Sequence, residues 1–406
     1  MKKLLLLTLA GAISCVSHAQ FSEFEGNAAN KFTLSSDNNT LQIGGRTSFF
    51  YEYRVMKPNE PKLDKDGFDI KDLDLDLLGK TSSKFVYEFH YSLVDLATAA
   101  ATGNTANPAN PGIKAAYLMY VGWPVHIKLG YDKLPFSQGN LEDVYASSQW
   151  SHANLYGGDL FSRRDIGLTL NYTTWKSRIN MYGGIYSGMG ENYFEYGTDN
   201  SGSFEYVGRV EFSFPGKMSY HPIDEENTPV PSFRVGINGR SENKTQPAGE
   251  PNVLTSYPDE VGAYGIRMIN GKRTIYGVDA QFKYRGISAQ FETDMINMHP
   301  SDANDPLFNA TSPSFNKGVI NAGGYVATLN YNWQKARSVF AIQYEDVNVN
   351  DLVAGDQQWL NLSYAYKVSS FNSVFKIEYY IPEKEDVNSN PLKYTAQLRV
   401  GYQVVF

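Results

Sequence analysis

The sequence predicts an all-β fold, a transmembrane antiparallel β-barrel of about 16 strands with short periplasmic turns and long external loops. Three observations carry that expectation. Apolar and polar residues alternate with period two along most of the chain, short and long connections take turns, and the apolar faces tend to begin or end on aromatic residues. Composition fits. The 406 residues are 42% hydrophobic and 14% aromatic, with 35 Gly, 29 Tyr and 23 Phe, yet mean hydropathy is only −0.39. A barrel shows one residue in two to lipid and keeps its lumen and loops polar, so it can be aromatic without long apolar runs. The aromatic content excludes disorder, the single Cys excludes a disulfide scaffold, and a net charge of −7 argues against a nucleic-acid binder.

The chain opens with Lys2 and Lys3, an apolar stretch from Leu4 to Ile13, and small residues before position 20. Residues 1–19 therefore predict a secretory signal peptide cleaved after Ala19. A lipoprotein signal on Cys15 is the weaker reading, since Ala12-Ile13-Ser14 matches a lipobox poorly. Cleavage after Ala19 removes the only Cys and leaves a chain indifferent to redox conditions. Residues 20–39 read as a short N-terminal periplasmic segment, and 40–406 as the barrel. No later stretch holds 18 consecutive apolar residues, so no transmembrane helix is expected.

Strands are expected at approximately 40–55, 68–80, 84–95, 113–123, 125–133, 163–175, 176–187, 203–214, 231–240, 272–285, 286–298, 318–333, 335–349, 355–369, 370–382 and 392–406. The last shows the pattern best. Tyr394, Ala396, Leu398, Val400, Tyr402, Val404 and Phe406 share one face, and Gln397, Arg399 and Gln403 the other. Val125, Ile127, Leu129 and Tyr131 likewise oppose His126, Lys128 and Asp132. Short turns are expected at 81–83, 123–124, 175–176, 285–286, 333–334 and 369–370. Long polar connections, such as 96–112, 134–162 and 241–271, lie between them. One connection breaks the rule. Residues 215–230, with Pro215, Pro222, Pro229 and His221, sit where a periplasmic turn is due and are long. An open sheet of this size would leave two unpaired edges in lipid, so it must close.

Several segments resemble the phosphate-selective porin O and P family. They are Ile43-Gly44-Gly45-Arg46, the strand pair around Leu73 to Tyr91, Lys128-Leu129-Gly130-Tyr131-Asp132-Lys133-Leu134-Pro135-Phe136-Ser137, and Phe161-Ser162-Arg163-Arg164-Asp165-Ile166-Gly167. The resemblance runs from about residue 40 to 190. It implies a 16-stranded, usually homotrimeric porin of a Gram-negative outer membrane, in contact with lipid and lipopolysaccharide. Such a porin passes small hydrophilic solutes by diffusion, phosphate or other anions among them. It also implies that 134–162 is the third external loop, folded inward to narrow the pore. Two alternatives stay open: a general or cation-tolerant porin, and a non-conducting barrel serving as a surface anchor or adhesin.

Facing parity nominates pore-lining residues: Arg46, Arg54, Lys128, Arg163, Arg178, Asp72, Asp74 and Asp76, joined by Glu142 and Asp143 from loop 134–162. A phosphate filter needs clustered cations as charge-assisted donors. Instead the inward bases and acids nearly balance, Asp72, Asp74 and Asp76 form an acidic row, and the loop holds no Lys or Arg. These charges either pair across strands and stiffen the wall, or set Arg46, Lys128, Arg163 and Arg178 against the acids as a transverse field. No enzyme, metal or cofactor is expected. No His pair has metal-ligand spacing, although His90 and His126 fall on nearby inward positions. Gly44-Gly45 lacks the helix and Lys of a phosphate loop and reads as a bend or close packing.

Overall fold

A computed structural model describes residues 32–58, 66–95, 112–142, 144–153, 155, 162–188, 190, 203–244, 271–300, 320–348, 356–385 and 394–406. The signal segment 1–19, Asp143 and most of the long external connections lie outside these residues. The strands are β1 Phe32–Ser36, β2 Asn39–Met56, β3 Gly67–Thr81, β4 Phe85–Ser92, β5 Ile113–Tyr120, β6 Val125–Lys133, β7 Arg164–Thr174, β8 Ile179–Tyr186 and β9 Glu205–Phe214. They continue as β10 Ser232–Lys244, β11 Gly271–Tyr284, β12 Ile287–Pro300, β13 Ile320–Trp333, β14 Ser338–Asn348, β15 Asp356–Ser369, β16 Ser373–Glu385 and β17 Tyr394–Val405. A short helix, α1, spans Gln138–Leu141.

Strands β2 to β17 each pair antiparallel with their sequence neighbours, and β17 returns to pair with β2. The result is a closed barrel of sixteen strands, at the positions expected from the sequence. Strand β1 is extra. It lies within the segment expected to be a short periplasmic lead and forms a hairpin with β2, Phe32 opposite Ile43 and Ser36 opposite Asn39. The closing seam is tight. Gly45 N donates to Phe406 O at 2.8 Å and Phe406 N to Gly45 O at 2.9 Å. A Cβ on Gly45 would run into the Asp74 carbonyl and the Phe406 ring, which accounts for glycine there by close packing.

The alternation of the sequence becomes an inside-out molecule. Outward side chains such as Leu129, Ile237, Leu329 and Ile342 are exposed to the lipid side. Arg209, Arg234, Asp279 and Lys376 are buried inside. Aromatics gather toward the strand ends, with Tyr120 packed on Trp123 and Trp175 on Phe212. The short turns close with left-handed residues, Arg285 and Gly286 between β11 and β12 at φ 49° and 84°, the handedness that matches strand twist in a two-residue hairpin. Tyr131 departs from parity: expected on the lipid side, it is buried. Among the described residues no helix is long and apolar enough to cross a membrane.

Among the described residues, two connections turn inward. One is the segment after β6, which enters the lumen from the external end. The other is the long connection between β9 and β10, whose Met218, Tyr220, Ile223 and Asp224 are buried. The second occupies the place where a tight periplasmic turn would be usual.

Candidate functional site

The lumen is built around the segment following β6. Ser137 caps α1, its Oγ accepting from Asn140 N at 3.1 Å. Two basic side chains staple the segment at its base. Arg163 Nη2 donates to the carbonyls of Asn140 at 3.0 Å and of Gly139 and Glu142 at 3.4 Å. Lys133 Nζ donates to the Glu142 and Leu141 carbonyls at 3.0 and 3.2 Å. A guanidinium and an ammonium suit this task because a chain crossing a lumen leaves carbonyls without strand partners.

From that base the loop crosses to the opposite wall. Gly139 N donates to Glu292 Oε2 on β12 at 2.7 Å, and Gln138 N to Asp279 Oδ2 on β11 at 3.3 Å. Farther along, Trp150 N donates to Glu378 Oε1 on β16 at 3.3 Å and the Ser148 hydroxyl meets that of Ser363 on β15 at 2.8 Å. Lys376 donates to the carbonyls of Gln149 and Tyr145 and lies over the Trp150 ring. Trp150, almost wholly buried, also packs on Phe50 of β2. Within the loop, burial pushes the Glu142 carboxyl up to about 7, while Gln290 donates to it at 2.9 Å. Burial, with the charges of Arg163 and Lys133, holds His152 well below the usual imidazole range, so it is neutral at pH 7.

The wall residues nominated from sequence fall into separate arrangements. Arg46 Nη2 donates to Asp72 at 3.0 Å and Asp74 at 2.6 Å, and Ser48 donates to Asp72. His90 lies 3.4 Å from Asp74 and 3.5 Å from Asp76. The acidic row and Arg46 are thus one cross-strand network. Lys128 pairs with Asp132 on its own strand, and Arg54 with Glu52 at 2.5 Å. Arg163 holds loop carbonyls. Arg178 leaves the set. It lies in the turn before β8, against the outward rings of Trp175 and Phe214, with Nε donating to Pro215 O at 2.9 Å. The proposed patch of Arg46, Lys128, Arg163 and Arg178 is therefore not assembled. Positive φ at Trp175, Lys176 and Ser177 extends the turn, so β8 begins at Ile179 rather than near 176.

The strongest networks lie on the other side. Arg209 Nη2 donates to Asp279 Oδ1 at 2.8 Å, and its Nη1 to Asp279 and to the loop carbonyl of Phe136. Arg240 grips Glu205 at 2.5 and 3.1 Å and the Ser162 carbonyl at 2.9 Å. Alternation along a strand puts such side chains inside but does not reveal that they hold the loop. Lys71 was not foreseen: a bulge in the β2–β3 register between Ser48 and Phe49 leaves it unpaired and breaks the period-two pattern. Exposure then divides the lumen. Lys128, Arg46 and Asp72 keep 22%, 19% and 18% of their side-chain surface, whereas Arg209, Arg234 and Asp279 keep 0%. Water reaches the β2–β6 wall at these three side chains, although Asp74, Asp76, Glu88 and His90 beside them are buried, and the loop seals the β9–β11 wall.

Among the described residues no group of His, Cys, Asp and Glu could hold a metal ion. A closed sixteen-strand barrel with an apolar exterior, a charged lumen and an inward loop defines an outer-membrane channel of the porin class. The sequence profile of the phosphate-selective porin O and P family matches residues 41–331, and the chain belongs to that family. No curated protein sequence matches it significantly. Among solved structures it is similar to an anion-selective porin from Comamonas acidovorans at 11% identity and a TM-score of 0.56, covering 91% of this chain and 100% of that one. It is also similar to OmpT of Vibrio cholerae, at 10% identity and a TM-score of 0.55, covering 92% and 100%. The outer-membrane channel DcaP of Acinetobacter baumannii is similar at 12% identity and a TM-score of 0.54, covering 92% and 99%. These likenesses agree on the fold. With the family, they make this chain a Gram-negative outer-membrane porin for passive diffusion.

Proposed function

We propose that this porin passes small hydrophilic solutes with weak charge preference, through a lane along the β2–β6 wall narrowed by the third loop, 134–162. One observation carries the reading. The partly exposed bases bordering the lane are engaged by acids, Arg46 by Asp72 and Asp74 and Lys128 by Asp132. A charge neutralised by a neighbour binds a passing ion weakly, and conduction requires that binding be weak enough to release. Planar-bilayer recording tests this. Stepwise conductance with a reversal potential near zero in a KCl gradient is expected. A reversal potential close to the chloride limit, with chloride current blocked by inorganic phosphate, would overturn it.

That second outcome is the anion-selective reading. Membership of the phosphate-selective porin O and P family and the likeness to the anion-selective Comamonas porin favour it. Lys71 of β3 and Lys376 of β16, whose charges act on one another across the intervening β17 and β2, would be its cations. A homotrimeric assembly, as in the trimer form of Vibrio cholerae OmpT, and contact with lipopolysaccharide complete the proposal. A folded protein that gives no conductance would leave the anchor or adhesin role in its place.

A further inference from the structure

The connection between β9 and β10 is built to stay inside the lumen. Tyr220 OH donates to Glu211 Oε2 on β9 at 2.8 Å, and Arg234 Nη1 on β10 donates to Met218 O at 3.1 Å. The chain then crosses the periplasmic mouth. Gln281 Nε2 on β11 donates to His221 O at 2.7 Å, Asn330 Nδ2 on β13 to Pro222 O at 3.3 Å, and Asn332 Nδ2 to Asp224 O at 2.9 Å. At the far side Ile223 joins a buried apolar cluster with Val339 of β14, Ala365 of β15, Phe371 of the β15–β16 turn and Val374 of β16. Asp224 locks the bend. Its carboxylate accepts from Thr228 N at 3.0 Å and from Gly286 N, in the β11–β12 turn, at 2.7 Å.

These contacts reach from β9 to β16, about half of the barrel wall. Inward amides from several strands supply donors to the carbonyls of an irregular segment, which is how backbone is tolerated at membrane depth. A passive turn would need none of this, since two residues suffice to join antiparallel neighbours. The tip also meets the third loop. The His221 ring lies edge-on to Tyr145, with centroids 6.3 Å apart and planes at 83°. Tyr145 is itself tied to the wall, its carbonyl accepting from Gln403 Nε2 at 3.0 Å.

We propose that residues 215–231 form a second, periplasmic constriction that clasps the third loop at Tyr145 and His221 and confines the solute exit to the β2–β6 side. This rests on the channel reading above and adds to it a filter on the periplasmic face, selecting by size. Small neutral solutes pass it, and larger ones are held on whichever side they arrive.

The test uses the whole barrel in planar bilayers. One variant replaces residues 215–232 by Asn-Gly, closing the β9–β10 hairpin at the Phe214–Phe233 pair. A second, Ile223→Asp, unseats the tip without shortening the chain. Folding of each is checked by heat-modifiable gel mobility. Conductance and the partitioning of graded polyethylene glycols, added from the periplasmic side alone, are then read. Folded variants are expected to raise conductance by about twofold and to admit larger polymers from that side, since the lumen is widened at one of two narrowings in series. Unchanged conductance and unchanged periplasmic polymer cut-off in either folded variant would overturn the constriction while leaving the channel intact. Folded wild type and variants that are all silent would overturn the channel reading instead, and the constriction with it.

Discussion

At the residue scale, burial decides which charges can act. Arg209 and Asp279 are fully buried together. Removing one member of such a pair is costly because the other stays charged without compensation. They serve the loop's position rather than the solute. Glu142 differs, because it sits on the loop and burial pushes it up to about 7. Below that pH it is neutral and accepts from Gln290; above it, one negative charge is added to the narrowed lumen. The sign follows. A raised carboxyl binds more protons folded than unfolded between its usual 4.5 and about 7, so stability falls as pH rises through that window. Cation preference should rise over the same interval. Reversal potential in a KCl gradient is therefore expected to move toward the potassium limit from about pH 6 to about pH 8, and Glu142→Gln to flatten the curve. An identical titration in the Gln variant would sink the assignment. The sequence nominated Glu142, but its environment comes from residues about 150 positions away, such as Gln290 and Glu292.

At the element scale, the strands were legible in the residue pattern, whereas the inward course of 134–162 came only with the family resemblance and that of 215–230 was not read at all, for a physical reason. A barrel strand carries its own instruction, since each residue faces lipid or lumen by turn and period two records this locally. A segment that folds inward is held by partners far along the chain, as Gly139 is by Glu292 and Asp224 by Gly286. Only the excess length and prolines of 215–230 hinted at its role. Local irregularities also escaped, with Lys71 on a bulge and Arg178 on a turn extended by left-handed residues. Arg163 shows what this changes. Parity offered it as a selectivity charge, but its donors hold the Gly139, Asn140 and Glu142 carbonyls. Losing them leaves buried acceptors unmet, at about 1–3 kcal/mol. Arg163→Ala is therefore expected to loosen the loop, giving noisier open-channel current and higher mean conductance with little change in reversal potential. A large shift in ion preference with quiet, unchanged conductance would return Arg163 to the selectivity set.

At the scale of the whole molecule, the many aromatics and the low hydropathy have one explanation, because the exterior is an apolar band and the polar residues are folded within. The claim can be tested at two adjacent positions. Leu129 lies in the middle of β6 with 62% of its surface exposed on the outside, and Lys128 points inward to Asp132. In a soluble sandwich or an open sheet, a charge at Leu129 would meet water and cost little. In a barrel surrounded by lipid, an arginine near mid-depth costs about 2–4 kcal/mol. Leu129→Arg is therefore expected to lower the unfolding free energy of the barrel in phospholipid vesicles, read from urea titration, by that amount. Lys128→Leu, which removes a charge from a partly wet lumen, should alter stability by no more than about 1 kcal/mol and should register instead in ion preference. The two effects must also exchange assays, with Leu129→Arg leaving the reversal potential of refolded channels unchanged. Equal tolerance at both positions would mean that the exposed band does not face lipid. The closed β17–β2 seam would then need another reason to bury every strand edge.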